Sequence, residues 1–206
     1  IFTINLNIFI RTILLTFSFL WFTYLGTQIG EDYVAANAIL INLVFLSAFI
    51  LDAYAFSTEG IVGYSLGKKD LNLFKKIIKN SFILSSVTGL IISILFFFSH
   101  NSLINLMSDI NEIRILSSSY VVWLIILPII SSFCYQFDGI FIGASQTKEL
   151  RNAMIFSVLI YLLISIMLTK FLLNTGIWIS LCIFMILRAI SLFYYLDKIY
   201  LRFRSN

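Results

Sequence analysis

Five ionisable residues lie where the flanking sequence leaves little room for water: Arg11, Asp52, Glu59, Asp138 and Arg188. A charge inside a hydrocarbon layer is costly unless it is paired, protonated or hydrated, so each marks a candidate site. Asp138 stands in SSFCYQFDGIFIGASQTKELRN (131–152), inside an apolar run that begins near Tyr120 and lasts to about Gln146. Ten residues of helix to Lys148 place it about 15 Å from the charged end, near the midplane of a ~30 Å core. Gly139 and Gly143 follow at GxxxG spacing, which lets a second helix or a substrate approach the backbone closely. Glu59 lies nine residues before Lys68, at a similar depth. Asp52 sits seven residues earlier, on the same helix face and about 10 Å farther along.

Two cations cannot neutralise three acids in full. One carboxyl is left to hold a proton, bind a metal cation or meet a charged substrate. Desolvation and a neighbouring arginine pull a carboxyl's proton affinity in opposite directions, so such a group is suited to exchanging protons. That is the chemistry of a coupling site in a secondary transporter. The blander readings stay open: Asp52 as an ion-pair partner of Arg11 or Arg188, Glu59 as a solubilising group in a wet vestibule, Arg188 as structural, Asp138 as part of a packing face. Tyr54, Phe56, Tyr135 and Phe137 flank these acids and either stack on an organic cation or simply pack.

The elements that position these groups are apolar helices. Hydrophobic residues make up 60% of the chain and charged ones 12%, about half the charge of a soluble domain. Long continuous apolar runs, with no ten-residue alternation, give helices and not a barrel, because the backbone must satisfy itself in lipid. The fold class is therefore all-α and polytopic, with six spans at about 6–27, 34–66, 81–98, 120–145, 153–172 and 177–200. Arg11 falls one turn inside the first. The second is longer than a bilayer needs and is expected to tilt, bend or project, with Gly60, Gly63 and Gly67 as yielding points. Pro128 interrupts the fourth, and Leu103 to Met107 reads as a short amphipathic piece at the interface.

Charge placement orients the helices. Ten of the fourteen Lys and Arg fall in the loop 68–79, the loop 146–152 and the tail with Lys198, Arg202 and Arg204. The positive-inside rule puts those segments, and both ends of the chain, in the cytoplasm. The Lys-rich loop is also a place for anionic membrane lipid to bind, or serves topology alone. Cys134 and Cys182 fall inside spans and His100 stands alone, so no disulfide or metal site is expected. GYSLGKKD lacks Walker spacing, and no nucleophile–base pair is present; an enzyme, a cofactor or a nucleic-acid partner is not expected. Ile1 opens almost directly on a span with no signal-peptide features, as in a piece of a longer chain.

The segments ILDAYAFSTEGIVGYSLGKKD (50–70), LPIISSFCYQFDGIFIGASQTKELRNAM (127–154) and LRAISL (187–192) together resemble the second half of MATE (multidrug and toxic compound extrusion) transporters, their DinF-like branch best. The resemblance runs from about Arg11 to Leu192. It implies one six-helix lobe of a twelve-helix antiporter in a bacterial inner membrane, with an N-terminal lobe as its missing partner. It further implies export of organic, chiefly cationic, small molecules in exchange for H⁺ or Na⁺. Asp138 falls where some of these transporters place an acid of a Na⁺ site, but the first helix carries Arg11 in place of the expected acidic partner. Ala53 likewise replaces a glycine of the branch's Leu-Asp-Gly pattern. On this reading Asp138, Glu59, Asp52 and Tyr135 bind substrate or ion, and Arg11 and Arg188 pair with the acids. The alternatives are a lipid-linked oligosaccharide flippase of the same superfamily and a structural or channel-like bundle.

Overall fold

The computed structural model describes residues 2–201 and 203, all of it helix and short turns. The elements are α1 (Phe2–Thr27), α2 (Glu31–Gly67), α3 (Leu71–Met107), α4 (Asn111–Ser119), α5 (Val121–Gly143) and α6 (Thr147–Leu201). All but α4 are long and apolar enough to cross a membrane. A straight α6 would run about 80 Å, but its backbone breaks at Leu173 (φ 48°, ψ −129°). The two limbs then fold back on each other. A Cβ on Gly176 would sit within 2.8 Å of the Thr169 nitrogen. Tyr161 and Phe184 have ring centroids 5.1 Å apart, and Lys198 reaches Glu149 at 3.0 Å. Three pairings, each roughly symmetric about Leu173, define an antiparallel hairpin, so the described residues make six apolar passes.

Helix ends follow local chemistry. Glu31 and Asp32 occupy the first turn of α2, where the helix dipole favours negative charge. At the other end of α2, Lys69 takes a left-handed conformation (φ 54°), and the Asp70 amide donates to the Ser65 carbonyl at 3.0 Å. Asp70 then caps α3, accepting from the Leu73 amide at 2.8 Å. The α5–α6 turn repeats the device: Ser145 has φ 55°, and the Gln146 amide donates to Phe141 at 2.9 Å. Both are Schellman turns, which reverse the chain within three residues.

These tight turns shift several sequence-based boundaries. The basic loop shortens to 68–70, and Lys75, Lys76 and Lys79 ride on the opening turns of α3, since lysine is a good helix former once Asp70 caps the start. Likewise Lys148, Glu149 and Arg151 belong to α6, not to a loop. Leu103–Met107 is the last turn of α3, and the short separate helix is α4. Arg114 on α4 caps the end of α3, donating to the Ser108 carbonyl at 2.5 Å and the Asn105 carbonyl at 3.1 Å. Because α1 begins at Phe2, Arg11 lies more than two turns inside it. Helix α2 runs unbroken through Gly60 and Gly63.

Contacts between the helices sort their ends into two layers. At one end Asn7 meets Thr147 and Arg151, and Phe74 meets Tyr200 at 5.4 Å between centroids. At the other, Trp21 donates to Ser165 at 2.9 Å. There too the Asn37 and Asn174 amides bond reciprocally at 2.6 and 3.0 Å, and Trp178 donates to Asn37. Lys75, Lys76 and Lys79 of α3 and Lys148 and Lys198 of α6 therefore gather at one end, while Lys170 lies beside Trp21 and Leu173 at the other; Arg202 and Arg204 lie outside the described residues. Two apolar clusters fill the bundle, one around Phe22, Leu40, Trp178 and Phe184, the other around Val62, Phe74, Phe141 and Ile199.

Candidate functional site

Between those two clusters sits a buried ion triad. Asp138 Oδ2 accepts from Arg11 Nη2 and, at 2.6 Å, from Arg188 Nη2. Three helices converge to build it: α1 brings Arg11, α5 brings Asp138, and the second limb of α6 brings Arg188. Asp138 is 5% exposed and Arg188 1%, so neither charge is relieved by bulk solvent. Arg188 also donates to Met185 Sδ at 3.4 Å and lies over the Phe184 ring, 5.4 Å from its centroid, a cation–π contact that is strongest where water is excluded. Asp138 Oδ1 and the Nε atoms of both arginines are buried without a protein partner among the described residues.

The glycines after Asp138 have a clear structural use. A Cβ on Gly139 would fall within 2.9 Å of the Ala55 carbonyl carbon, and one on Gly143 within 2.9 Å of Glu59 Cα. The GxxxG face of α5 is thus packed on the α2 backbone, and it is a helix, not a substrate, that approaches there. This close crossing brings the acids of α2 beside the triad. Because α5 ends at Gly143, Asp138 is only five residues, about 7.5 Å, from its own helix end. Arg188 is nonetheless midway along the 174–201 limb.

A cleft of 220 Å³ opens beside the triad, lined by Arg11, Asp52, Glu59, Tyr135 and Asp138, with Phe49 and Phe56 among its apolar walls. Asp52 and Glu59 make no ion pair within 4 Å among the described residues. The structure therefore assembles all of the candidate acids with Arg11 and Tyr135 around one opening, and pairs both arginines with Asp138, leaving Asp52 without either. Of the four aromatics, Phe56 and Tyr135 face the cleft. Tyr54 and Phe137 do not: the Tyr54 hydroxyl accepts from Thr88 at 2.9 Å, and Phe137 stacks edge-on with Phe82. Their helix register turns them away.

Uncharged polar residues complete the interior, and a search keyed to charge passes over them. Gln136 is fully buried; its Oε1 accepts from Thr58 at 2.9 Å, while its Nε2 has no partner among the described residues. Its signal in the sequence is an amide two residues from Asp138 in an otherwise apolar run. Asn7, Asn37 and Asn174 are of the same kind, each inside an apolar helix and each bonded across helices.

With this geometry in place, comparison with known proteins decides the family. The MatE family model matches residues 8–169. The chain belongs to the MatE family. It is 31% identical over 189 residues to the DNA damage-inducible protein F of Escherichia coli (strain K12), covering 92% of this chain and 41% of that protein. Among solved structures, a MATE in complex with MaL6 superposes with a TM-score of 0.86 at 12% identity, over 97% of this chain and 46% of that one. The outward-facing conformation of a multidrug resistance MATE family transporter of the MOP superfamily gives 0.83 at 14% identity, over 95% and 45%. The chain thus spans less than half the length of the MatE relatives it matches. The fold class read from its sequence, all-α and polytopic with MATE architecture, is the observed one.

Proposed function

We propose that this MatE chain is one six-helix lobe of a twelve-helix secondary transporter that exports organic, chiefly cationic, compounds in exchange for H⁺. The observation that carries the reading is the cleft in which Asp52 and Glu59 stand without ion-pair partners among the described residues, beside a triad in which both arginines are paired with Asp138. In this reading the work is divided. Asp138 holds Arg11 and Arg188 in place, since removing its charge would strand two cations in a low-dielectric interior. Asp52 and Glu59 carry the exchangeable negative charge that a proton and a cationic substrate compete for. Phe56 and Tyr135 offer aromatic surface to the same substrate. Na⁺ is the less suitable ion at Asp138, because two guanidinium groups already occupy its Oδ2.

The lysine-rich end supports a cytoplasmic placement of the α2–α3 turn and of both ends of the chain, and the Escherichia coli relative supports a bacterial inner membrane. The cleft then faces the second lobe and the substrate path between them. The test is complementation. This chain expressed alone in a drug-sensitive strain is expected to give no resistance to ethidium, and co-expression with the missing N-terminal lobe is expected to restore it. Resistance from the chain alone would overturn the two-lobe reading.

A further inference from the structure

A second opening lies on the opposite side of α2. It measures 310 Å³ and runs between α2 and α3, lined by Tyr54, Ser57, Ile61, Lys76, Asn80 and Leu84 among others. Tyr54 and Ile61 repeat at i and i+7 as Asp52 and Glu59 do, but two positions later. At 100° per residue the two sets are about 200° apart, on opposite faces of the helix. When the acidic cleft faces a substrate path, this groove faces the lipid.

It sets polar side chains beside an apolar wall. On α3 the lining residues run from Leu73 to Leu84, roughly 16 Å. Lys76 and Asn80 stand one turn apart toward the basic end, exposed, their side chains making no hydrogen bond or ion pair to another described residue. Lys75 and Lys79 flank them, with Asp70 the nearest acid in sequence and already engaged as a helix cap. Ile61 and Ile77 give apolar wall at the level of Lys76 and Asn80, Leu84 continues it beyond them, and the Thr88–Tyr54 hydrogen bond ties the two helices beside the inner end. Exposed, unpartnered donors beside an apolar trough match one occupant by charge and shape.

We infer that the α2–α3 groove binds an anionic phospholipid, its phosphate on Lys76 and Asn80 and one acyl chain along Ile61 and Leu84. A lysine near an anionic headgroup contributes about fivefold in binding, and here its partner is held beside an uncharged donor. Lys68 is the natural control. It lies at the same end of the bundle, outside the groove, with its ammonium 4.5 Å from the Tyr64 ring centroid.

The experiment is native mass spectrometry of the chain released from nanodiscs containing equal phosphatidylglycerol and phosphatidylcholine. The wild-type chain is expected to retain phosphatidylglycerol preferentially. Lys76→Gln is expected to cut that retention by about fivefold, and Ile61→Trp, which fills the trough, to abolish it; Lys68→Gln is expected to change it less than about twofold. Inorganic phosphate at millimolar concentration is expected not to displace the lipid, since it lacks the acyl chain. Equal retention of both lipids, equal losses in Lys76→Gln and Lys68→Gln, or displacement by inorganic phosphate would overturn the assignment. The readout requires no transport, so it stands or falls apart from the function proposed above.

Discussion

Replacing Asp138 by Asn removes one buried negative charge and leaves two cations facing each other. The side chain keeps its shape and Oδ1 can still accept, but the group that balances Arg11 and Arg188 is gone. Truncating one member of a buried pair costs about 3–5 kcal/mol. For a chain of this size 1 kcal/mol moves the melting temperature by about 2–4 °C, so a fall of roughly 6–20 °C is expected. The assay is thermal unfolding of detergent-purified protein together with its abundance in membranes. Arg11→Leu is the diagnostic comparison: it leaves a one-to-one Asp138–Arg188 pair and is expected to cost less than Asp138→Asn. The double variant Arg11→Leu/Asp138→Asn is expected to recover part of the loss, because only one cation is then unpaired. An Asp138→Asn protein that melts within about 2 °C of wild type, or a double variant worse than the sum of the singles, would refute the triad as the origin of the stability.

Three further outcomes follow from the packing. Gly143→Leu drives a side chain into the Glu59 backbone and is expected to destabilise by at least about 1–3 kcal/mol; Gly60→Ala, with nothing within 4 Å of its Cβ, is expected to be neutral or to stabilise by about 0.5–1 kcal/mol, both read by the same thermal assay. Asn37→Leu strands the Asn174 amide and the Trp178 N–H at about 1–3 kcal/mol each, and Asn37→Leu/Asn174→Leu is expected to recover part of the loss; an unaltered Asn37→Leu protein would remove that cluster from the account. In the complete transporter, a cysteine at Asn111 is expected to react with an impermeant maleimide on intact cells, and one at Asn72 only after permeabilisation. Both positions are exposed and Cys134 and Cys182 are buried, so this lobe adds little background labelling; the reverse pattern would invert the orientation.

How much of this was legible in the sequence depends on the kind of residue. Hydrophobic runs and isolated charges are written one residue at a time, so the all-α membrane architecture and the identity of Arg11, Asp52, Glu59, Asp138 and Arg188 as special could be read directly. Pairing is a property of rotation about several helices at once. No spacing in the chain says that Arg11 and Arg188 both point at Asp138 while Asp52 is left over; that follows from where α1, α5 and the second limb of α6 meet. The same limit explains Tyr54 and Phe137, next to the acids in sequence and turned elsewhere in space. Boundaries slipped where non-glycine residues take left-handed turns: Lys69 and Ser145 end helices without the glycine that would announce it. The reversal at Leu173, by contrast, falls between the spans read at 153–172 and 177–200, where Asn174, Thr175 and Gly176 interrupt the apolar run.

The most direct test of the account is transport by the two lobes together. Proteoliposomes containing this chain and its N-terminal lobe would be loaded with tetraphenylphosphonium and given an imposed pH gradient. Export by the wild-type pair is expected to follow the gradient. Asp52→Asn/Glu59→Gln is expected to keep the wild-type melting temperature, because neither carboxylate holds an ion pair, and to lose gradient-driven export. Unchanged export with the same pH dependence in that variant would contradict the assignment of the cleft carboxylates as the exchanging groups.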